Sequence, residues 1–415
     1  MRTTYSYAAT QYQLSYLTEH CVLAVAFFLP LSYNVTSALL ALGTLFWVGR
    51  MIAAGRMDLR QTPFDIPIAA LVALSVVSTL FAPDRWLSFY NYYHLMGRYI
   101  LLYYLVVNNV HTLDQLKRLV QAVLLAAGVV AAYGFYQYLH GMDIAAMEWV
   151  DGEQFPLLKE RMFSTLHNPN LLAGFLVIIM AVAAGLGLSA ETTAGKCAFF
   201  ALVFSLGVCL VLTYSRGAWL SVLAVTAAYG VLYSRKTFWL LLFVPVVLIA
   251  GHSVIMERLM SILNPTDTSA TLRLALWEST LAMIADKPLF GIGWGAYWQV
   301  YPAYDFFIND PSTTMFHAHN MYLHIAAEIG VPGLIAFLSI MIGHARLALA
   351  VAESATNRWV GGLMLGVLTA IVGLAVNGLT DYVMFNPQVA MVYWLLNAMT
   401  VVVCLNGYPT KNNGK

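Results

Sequence analysis

Runs of about 20 apolar residues recur from residue 15 to residue 405, and charged side chains fall mainly in the gaps between them. A helix needs about 20 such residues to cross a bilayer, where every backbone N–H and C=O must be satisfied within the segment. Only 10% of the 415 residues are charged and 60% are apolar, against roughly 25% charged in soluble domains. The chain is therefore expected to be an all-α integral membrane protein, a single polytopic domain over 1–415. Its net charge of +1 argues against a nucleic-acid partner. Only Arg2 precedes Tyr16 as a charge in the N-terminal stretch, so the first apolar run is expected to stay as an uncleaved anchor. Cys21, Cys197, Cys209 and Cys404 all lie in apolar runs, without metal-type or disulfide-type spacing.

The apolar runs predict about twelve spans, near 15–32, 35–54, 65–82, 94–110, 116–139, 170–189, 197–213, 217–233, 237–253, 321–343, 359–380 and 387–405. Lys and Arg follow every even-numbered span: Arg50, Arg56 and Arg60; Lys117 and Arg118; Lys196; Arg235 and Lys236; Arg346 and Arg358; Lys411 and Lys415. The positive-inside rule then puts these connections and both termini in the cytoplasm. The outer side receives a smaller loop, 141–169, and a large helical loop, 254–320, between spans nine and ten. No matched halves of the kind common in secondary transporters are visible.

The stretch from Met256 to His319 is the longest polar interval, and it carries Arg258, Arg273, Asp286, Lys287, Asp305, Asp310, His317 and His319. An amphipathic helix is expected from Thr271 to Asp286, burying Leu272, Leu276, Leu281 and Ile284. Gly291, Gly293 and Gly295 follow no strand, so they read as a tight backbone path rather than a phosphate cradle. The aromatic run Trp294, Tyr297, Trp298, Tyr301, Tyr304, Phe306 and Phe307 suits an interfacial belt or a set of sugar-stacking platforms.

Several cations on the expected outer side need a reason. Arg216 stands in the short Thr213–Trp219 turn between spans seven and eight, where a guanidinium is costly unless an anion pairs with it. It can snorkel to lipid phosphates, or grip a phosphate of a ligand with its planar fork. Arg98, near the outer end of span four, admits the same two readings. His317, His319 and His324 gather where the loop meets span ten. Their surroundings lack the dense ligand pattern of a zincin, so a metal is not expected, and a neutral imidazole can instead serve as a general base. An Arg-held phosphate beside a His base points to transfer of a phosphate-linked group to a hydroxyl.

Four stretches carry a family resemblance: Phe163–Asn170; Ser215–Trp219; the 273–295 stretch with its Pro-Leu-Phe-Gly-Ile-Gly-Trp-Gly; and His319–Leu323 through Glu328–Gly333. Together with the span layout, they resemble the O-antigen ligase and O-antigen polymerase-like superfamily of bacterial envelope glycosyltransferases. The ligase branch pairs a His with a Gly eleven positions later, as in His319 and Gly330; Trp277 stands where that branch has a Leu four positions after its Arg. The resemblance implies a polytopic enzyme of the bacterial inner membrane, acting on the periplasmic side without metal or other cofactor. It would move a glycan from an undecaprenyl-diphosphate-linked donor to a sugar hydroxyl of the lipid A core, amid membrane lipids. His319 would be the base and Arg216 and Arg273 the diphosphate ligands, with Asn168, Arg98, His317 and Tyr214 as possible accessory residues. Asn168 also reads as a helix N-cap. His317 and His324 are expected to turn away from His319. A polymerase extending the same lipid-linked glycan is the alternative, protein O-oligosaccharyltransferases come next, and a transporter is the reading from another class.

Overall fold

The computed structural model describes residues 2–141, 161–242, 268–307 and 314–407. Thirteen α-helices and no strand occur among them: α1 (Arg2–Phe28), α2 (Tyr33–Ala54), α3 (Asp65–Thr79), α4 (Arg85–Asn109), α5 (Leu113–His140), α6 (Pro169–Ser189), α7 (Thr193–Leu212), α8 (Arg216–Leu232), α9 (Thr268–Asp286), α10 (Tyr297–Val300), α11 (Met321–Ser354), α12 (Arg358–Asn377) and α13 (Pro387–Leu405).

Eleven of the twelve expected spans coincide with a helix. The ninth begins as a 3-10 segment, Arg235–Leu242, and otherwise lies outside the described residues. Among the described residues, seven helices are long and apolar enough to cross a membrane: α2, α5, α6, α7, α11, α12 and α13. α3 and α8 are apolar but shorter. α1 carries Gln11, Gln13 and Glu19, and α4 carries Asn91, His94 and Arg98, which dilute their hydropathy.

α13 forms the centre, with 89% of its apolar window buried, followed by α6 at 78%; α2 and α7 are peripheral at 17% each. Lipid tails are as apolar as Leu, so helices associate in a bilayer through close packing rather than hydrophobic burial. α6 and α12 show this directly: a Cβ on Gly185 would lie 2.3 Å from the Gly362 carbonyl oxygen, and one on Gly366 2.8 Å from Val182 Cα.

α11 is broken where its sequence requires it. Gly330 adopts φ 76°, ψ 168° inside the helix, and Pro332 follows. Pro332 has no N–H to give the Glu328 carbonyl, and the Val331 N–H turns instead to Pro288 O at 2.8 Å. The two orphaned carbonyls are taken over by the loop: Ile292 N–H donates to Ala327 O (2.8 Å) and Gly293 N–H to Glu328 O (3.2 Å), which also accepts the Ser78 hydroxyl (2.5 Å). A Cβ at Gly330 would sit 2.2 Å from Leu289 O, so the Gly eleven residues after His319 is demanded by backbone approach. The polar segment after α9 is thereby sewn into the broken helix.

Candidate active site

α9 was expected from Thr271 and starts at Thr268. Its buried side is Leu276, Ser279, Thr280 and Met283, with Leu272 partly covered. Leu281 was placed on this face and is instead 55% exposed, because the stripe continues through Thr280. The Thr280 and Tyr297 hydroxyls pair at 2.8 Å. Gly291, Gly293 and Gly295 have φ of 70°, 114° and 65°, the tight path their residue type suggested. The aromatic run divides: Tyr297 and Tyr301 are core, with the Tyr301 hydroxyl donating to Asp305 (3.1 Å), whereas Trp298, Phe306 and Phe307 are exposed.

The segment His317–Asn320 lies against the turn after α12. Asn320 caps α11, accepting the N–H groups of Tyr322 (3.0 Å) and Leu323 (3.1 Å), and donates through Nδ2 to Leu379 O (3.1 Å). Met321 N–H reaches Gly378 O at 2.8 Å. These bonds force His319 into left-handed backbone, φ 47°, a conformation few non-glycine residues adopt and one that concentrates at functional sites. The result is a contact between residues 62 positions apart: His319 Nδ1–H donates to Asp381 Oδ1 at 3.2 Å. Asp381 is buried and also accepts the Tyr382 N–H at 2.8 Å. Nδ1 is thus committed, and Nε2 of a neutral His319 is left as the acceptor.

His317 does not turn away, contrary to expectation. It lies outside any helix, its ring meets His319 edge-on at 4.2 Å, and its Nδ1 accepts the His319 N–H at 3.3 Å. His324 sits one layer deeper. Its Nδ1 accepts the Ala318 N–H (3.4 Å), so Nε2–H donates to Glu328 Oε1 (3.3 Å), which in turn accepts the Tyr297 N–H (3.4 Å). This buried pair props up the strained 317–319 backbone from below.

Burial, followed by the charges of His319, His324 and Arg273, pushes the His317 pKa well below the ordinary histidine value, against the attraction of Asp381. Burial by itself would raise the Asp381 carboxyl; the His319 hydrogen bond and the charges of His319, His317 and Arg273 outweigh it and hold Asp381 below the usual carboxylate range. A His with a depressed folded-state pKa resists a proton that the unfolded chain accepts near about pH 6.5, so stability falls as pH drops below that value. We expect thermal unfolding at about pH 5 to come earlier than at about pH 7, and His317→Asn to shrink the difference. An unchanged difference in that variant would place the acid sensitivity elsewhere.

The two candidate arginines approach from other elements. Arg273, on α9, is close enough for its charge to be felt at both His317 and Asp381. Arg216 is the first residue of α8, and a Cβ on its neighbour Gly217 would lie 2.4 Å from Thr380 Oγ1. The Arg216 turn therefore abuts the residue before Asp381. Tyr214 precedes it with φ 53°. Helix N-termini favour anions, and those of α8 and α11 both end at this cluster. Asn168 caps α6 through the N–H groups of Asn170 (2.8 Å) and Leu171 (3.3 Å). Arg161 joins Asn170 Oδ1 (2.9 Å) to Thr213 O (2.8 Å), so this motif braces the turn that presents Arg216. Arg98 lies over the Tyr33 ring at 4.6 Å, with Nη2 3.3 Å from His94 Nδ1.

Donor atoms of His317, His319 and Asp381 lie within 4.8 Å of one another, the reach of a three-ligand metal centre. However, the nearby Arg273 charge opposes a dication, and His319 and Asp381 already engage each other. We expect the glycan transfer that the resemblance implies to be unaffected by EDTA. Loss of activity with EDTA, restored by magnesium, manganese or zinc, would make the cluster a metal site.

Reasoning from sequence missed Asp381. It is the one charged residue between Arg358 and Lys411, and an ionisable group among apolar spans is itself a functional signal.

No curated protein matches the chain. A family model described as O-antigen ligase matches residues 200–338, about a third of the 415. That interval holds Arg216, Arg273, His317, His319 and Gly330, while Asp381 lies beyond it. The match supports an O-antigen ligase-like family for this chain and suggests a membrane enzyme of glycosyl transfer.

Proposed function

We propose that the protein is an O-antigen ligase, moving a polysaccharide from undecaprenyl diphosphate to a sugar hydroxyl of the lipid A core. The observation that carries this reading is the His319–Asp381 contact, with Arg273 and the Arg216 turn drawn to the same place. His319 Nε2 accepts the proton of the acceptor hydroxyl, whose oxygen attacks the anomeric carbon of the donor glycan. The bond from that carbon to the diphosphate oxygen breaks, and undecaprenyl diphosphate leaves with the electron pair. Arg216 and Arg273 offset its charge where water is scarce, so the leaving group is stabilised electrostatically. Asp381 stabilises the imidazolium as it forms, the role of the carboxylate in His-based hydrolases. The basic even-numbered connections support cytoplasmic termini, with the 141–169 and 254–320 connections and the site on the periplasmic side of the inner membrane.

Lipopolysaccharide from a strain lacking the protein tests the assignment. Long-chain glycan stranded on its lipid carrier is the expected result; core bearing a single repeat unit would indicate a polymerase instead.

Arg216→Lys should be far more damaging than its conserved charge suggests, since an ammonium cannot make the paired bonds that a guanidinium gives a diphosphate. We expect transfer to fall at least about tenfold, the worth of one charge-assisted hydrogen bond, with Arg216→Ala worse in donor binding. Near-normal transfer by a stably folded Arg216→Lys protein would remove the bidentate role.

A further inference from the structure

A second polar concavity lies at the other end of the bundle. It is a cavity of about 570 Å³, walled by Tyr12 and Ser15 of α1, Arg50 near the end of α2, Arg56 and Arg60 of the following linker, and His111 after α4. α3 separates it from the histidine cluster: the helix starts beside this linker and ends where Ser78 bonds Glu328 O, and its 15 residues span about 22 Å. The basic residues place this end on the expected cytoplasmic side.

The three guanidinium groups are not equivalent. Arg60 is a fixed wall that caps the end of α4, donating from Nη1 to Val107 O (3.2 Å) and Val110 O (3.4 Å) and from Nη2 to Asn406 Oδ1 (2.8 Å). Arg50 reaches Asn108 O at 3.5 Å, the outer limit of a hydrogen bond. Arg56 meets Asp58 at 3.5 Å with both side chains about three-quarters exposed, an arrangement that holds it weakly. Among the described residues lining the cavity, one carboxylate, Asp58, faces three guanidinium groups. Burial first, then Arg60 and Arg50, lower the His111 pKa, a mark of the cationic field there. Exposed apolar side chains alternate with the cations along the same segment: Ile52 (75%), Met57 (86%) and Leu59 (55%). Basic heads interleaved with exposed apolar side chains suit the boundary between headgroups and acyl chains, and the volume falls in the range of small-ligand sites.

We propose that this cavity binds the phosphodiester headgroup of an anionic phospholipid, with Arg50 and Arg56 on the phosphate and Ile52, Met57 and Leu59 against its chains. Met51 and Ala54 line the cavity beside the cations, and Ile52, Met57 and Leu59 are exposed along the same segment, apolar surface that a lipid uses and free phosphate does not. The inference is independent of the glycan-transfer reading.

Purified protein in phosphatidylcholine nanodiscs is titrated with phosphatidylglycerol, and retention is read by native mass spectrometry. Arg50→Gln/Arg56→Gln should weaken phosphatidylglycerol binding about tenfold or more, with phosphatidylcholine retention unchanged. Asp58→Asn, which removes the opposing carboxylate, should tighten binding roughly threefold. If the double variant fails to assemble, Asp58→Asn decides, and unchanged binding by it overturns the proposal. Equal retention of phosphatidylcholine and phosphatidylglycerol by the parent would overturn it too. Inorganic phosphate should not displace phosphatidylglycerol; displacement, with thermal stabilisation by phosphate alone, would make this a free-phosphate site and end the lipid assignment.

Discussion

Replacing His319 with Ala is expected to cut glycan transfer about 10²–10⁴-fold, the usual share of acid–base catalysis, while helical content and donor retention stay near parental. The expectation rests on geometry. Asp381 occupies Nδ1 at 3.2 Å, so Nε2 is the lone acceptor on a ring that the strained backbone points into the cluster. Asp381 is held below the usual carboxylate range, so it stays an acceptor for the ring. His317→Ala should cost less than His319→Ala: His317 touches the His319 ring and accepts its N–H, and burial disfavours its charged form. His324→Ala should act through the loop alone. The assay uses purified protein, undecaprenyl-linked glycan and lipid A-core acceptor, with initial rates measured across pH for all three variants. Parental transfer by His319→Ala, with His317→Ala inactive, would move the base to His317. If all three variants transfer normally, there is no histidine base.

Asp381→Asn should be nearly as severe, on the order of 10²–10⁴-fold in kcat with KM little changed. An amide keeps the shape but cannot stabilise the imidazolium, and it can stabilise the wrong tautomer by donating to Nδ1. Asp381 acts through His319, so a second readout is needed to separate positioning from plain misfolding. That readout is KM, which a folded site keeps near parental while kcat falls, together with rescue by a conservative variant. Asp381→Glu should recover part of the rate if the carboxylate is what matters. An Asp381→Asn protein with parental kcat, or an Asp381→Glu protein with no recovery of rate, would detach Asp381 from the histidine.

Much of the helical layout was legible because lipid leaves the backbone few options. Apolar runs near 20 residues give helices, and eleven of the twelve expected spans lie on one. Caps were legible too: Asn168 before Pro169 reads as an N-cap and behaves as one. The histidines at the foot of span ten, and Arg216 in a turn too short to leave the membrane surface, stood out as polar groups where polarity is costly. The length of spans was less legible, since α1 and α4 mix polar residues into helices that the tertiary packing nevertheless keeps whole.

What the sequence determined by itself is local: helical period, turn residues, the positions where burial of a charge needs a reason. It could not pair His319 with Asp381, because 62 residues and two helices separate them and neither propensity nor spacing encodes that distance. Packing of α11 against α12 does, by bonding Asn320 to Leu379 and Met321 to Gly378. Nor could it explain Gly330, whose need appears only when the 288–293 segment approaches the broken helix and takes the carbonyls that Pro332 leaves unpaired. A single side chain's chemistry is written in its residue type; the partner that tunes it is chosen by backbone hydrogen bonds between elements remote in the chain, and those exist only in the folded structure.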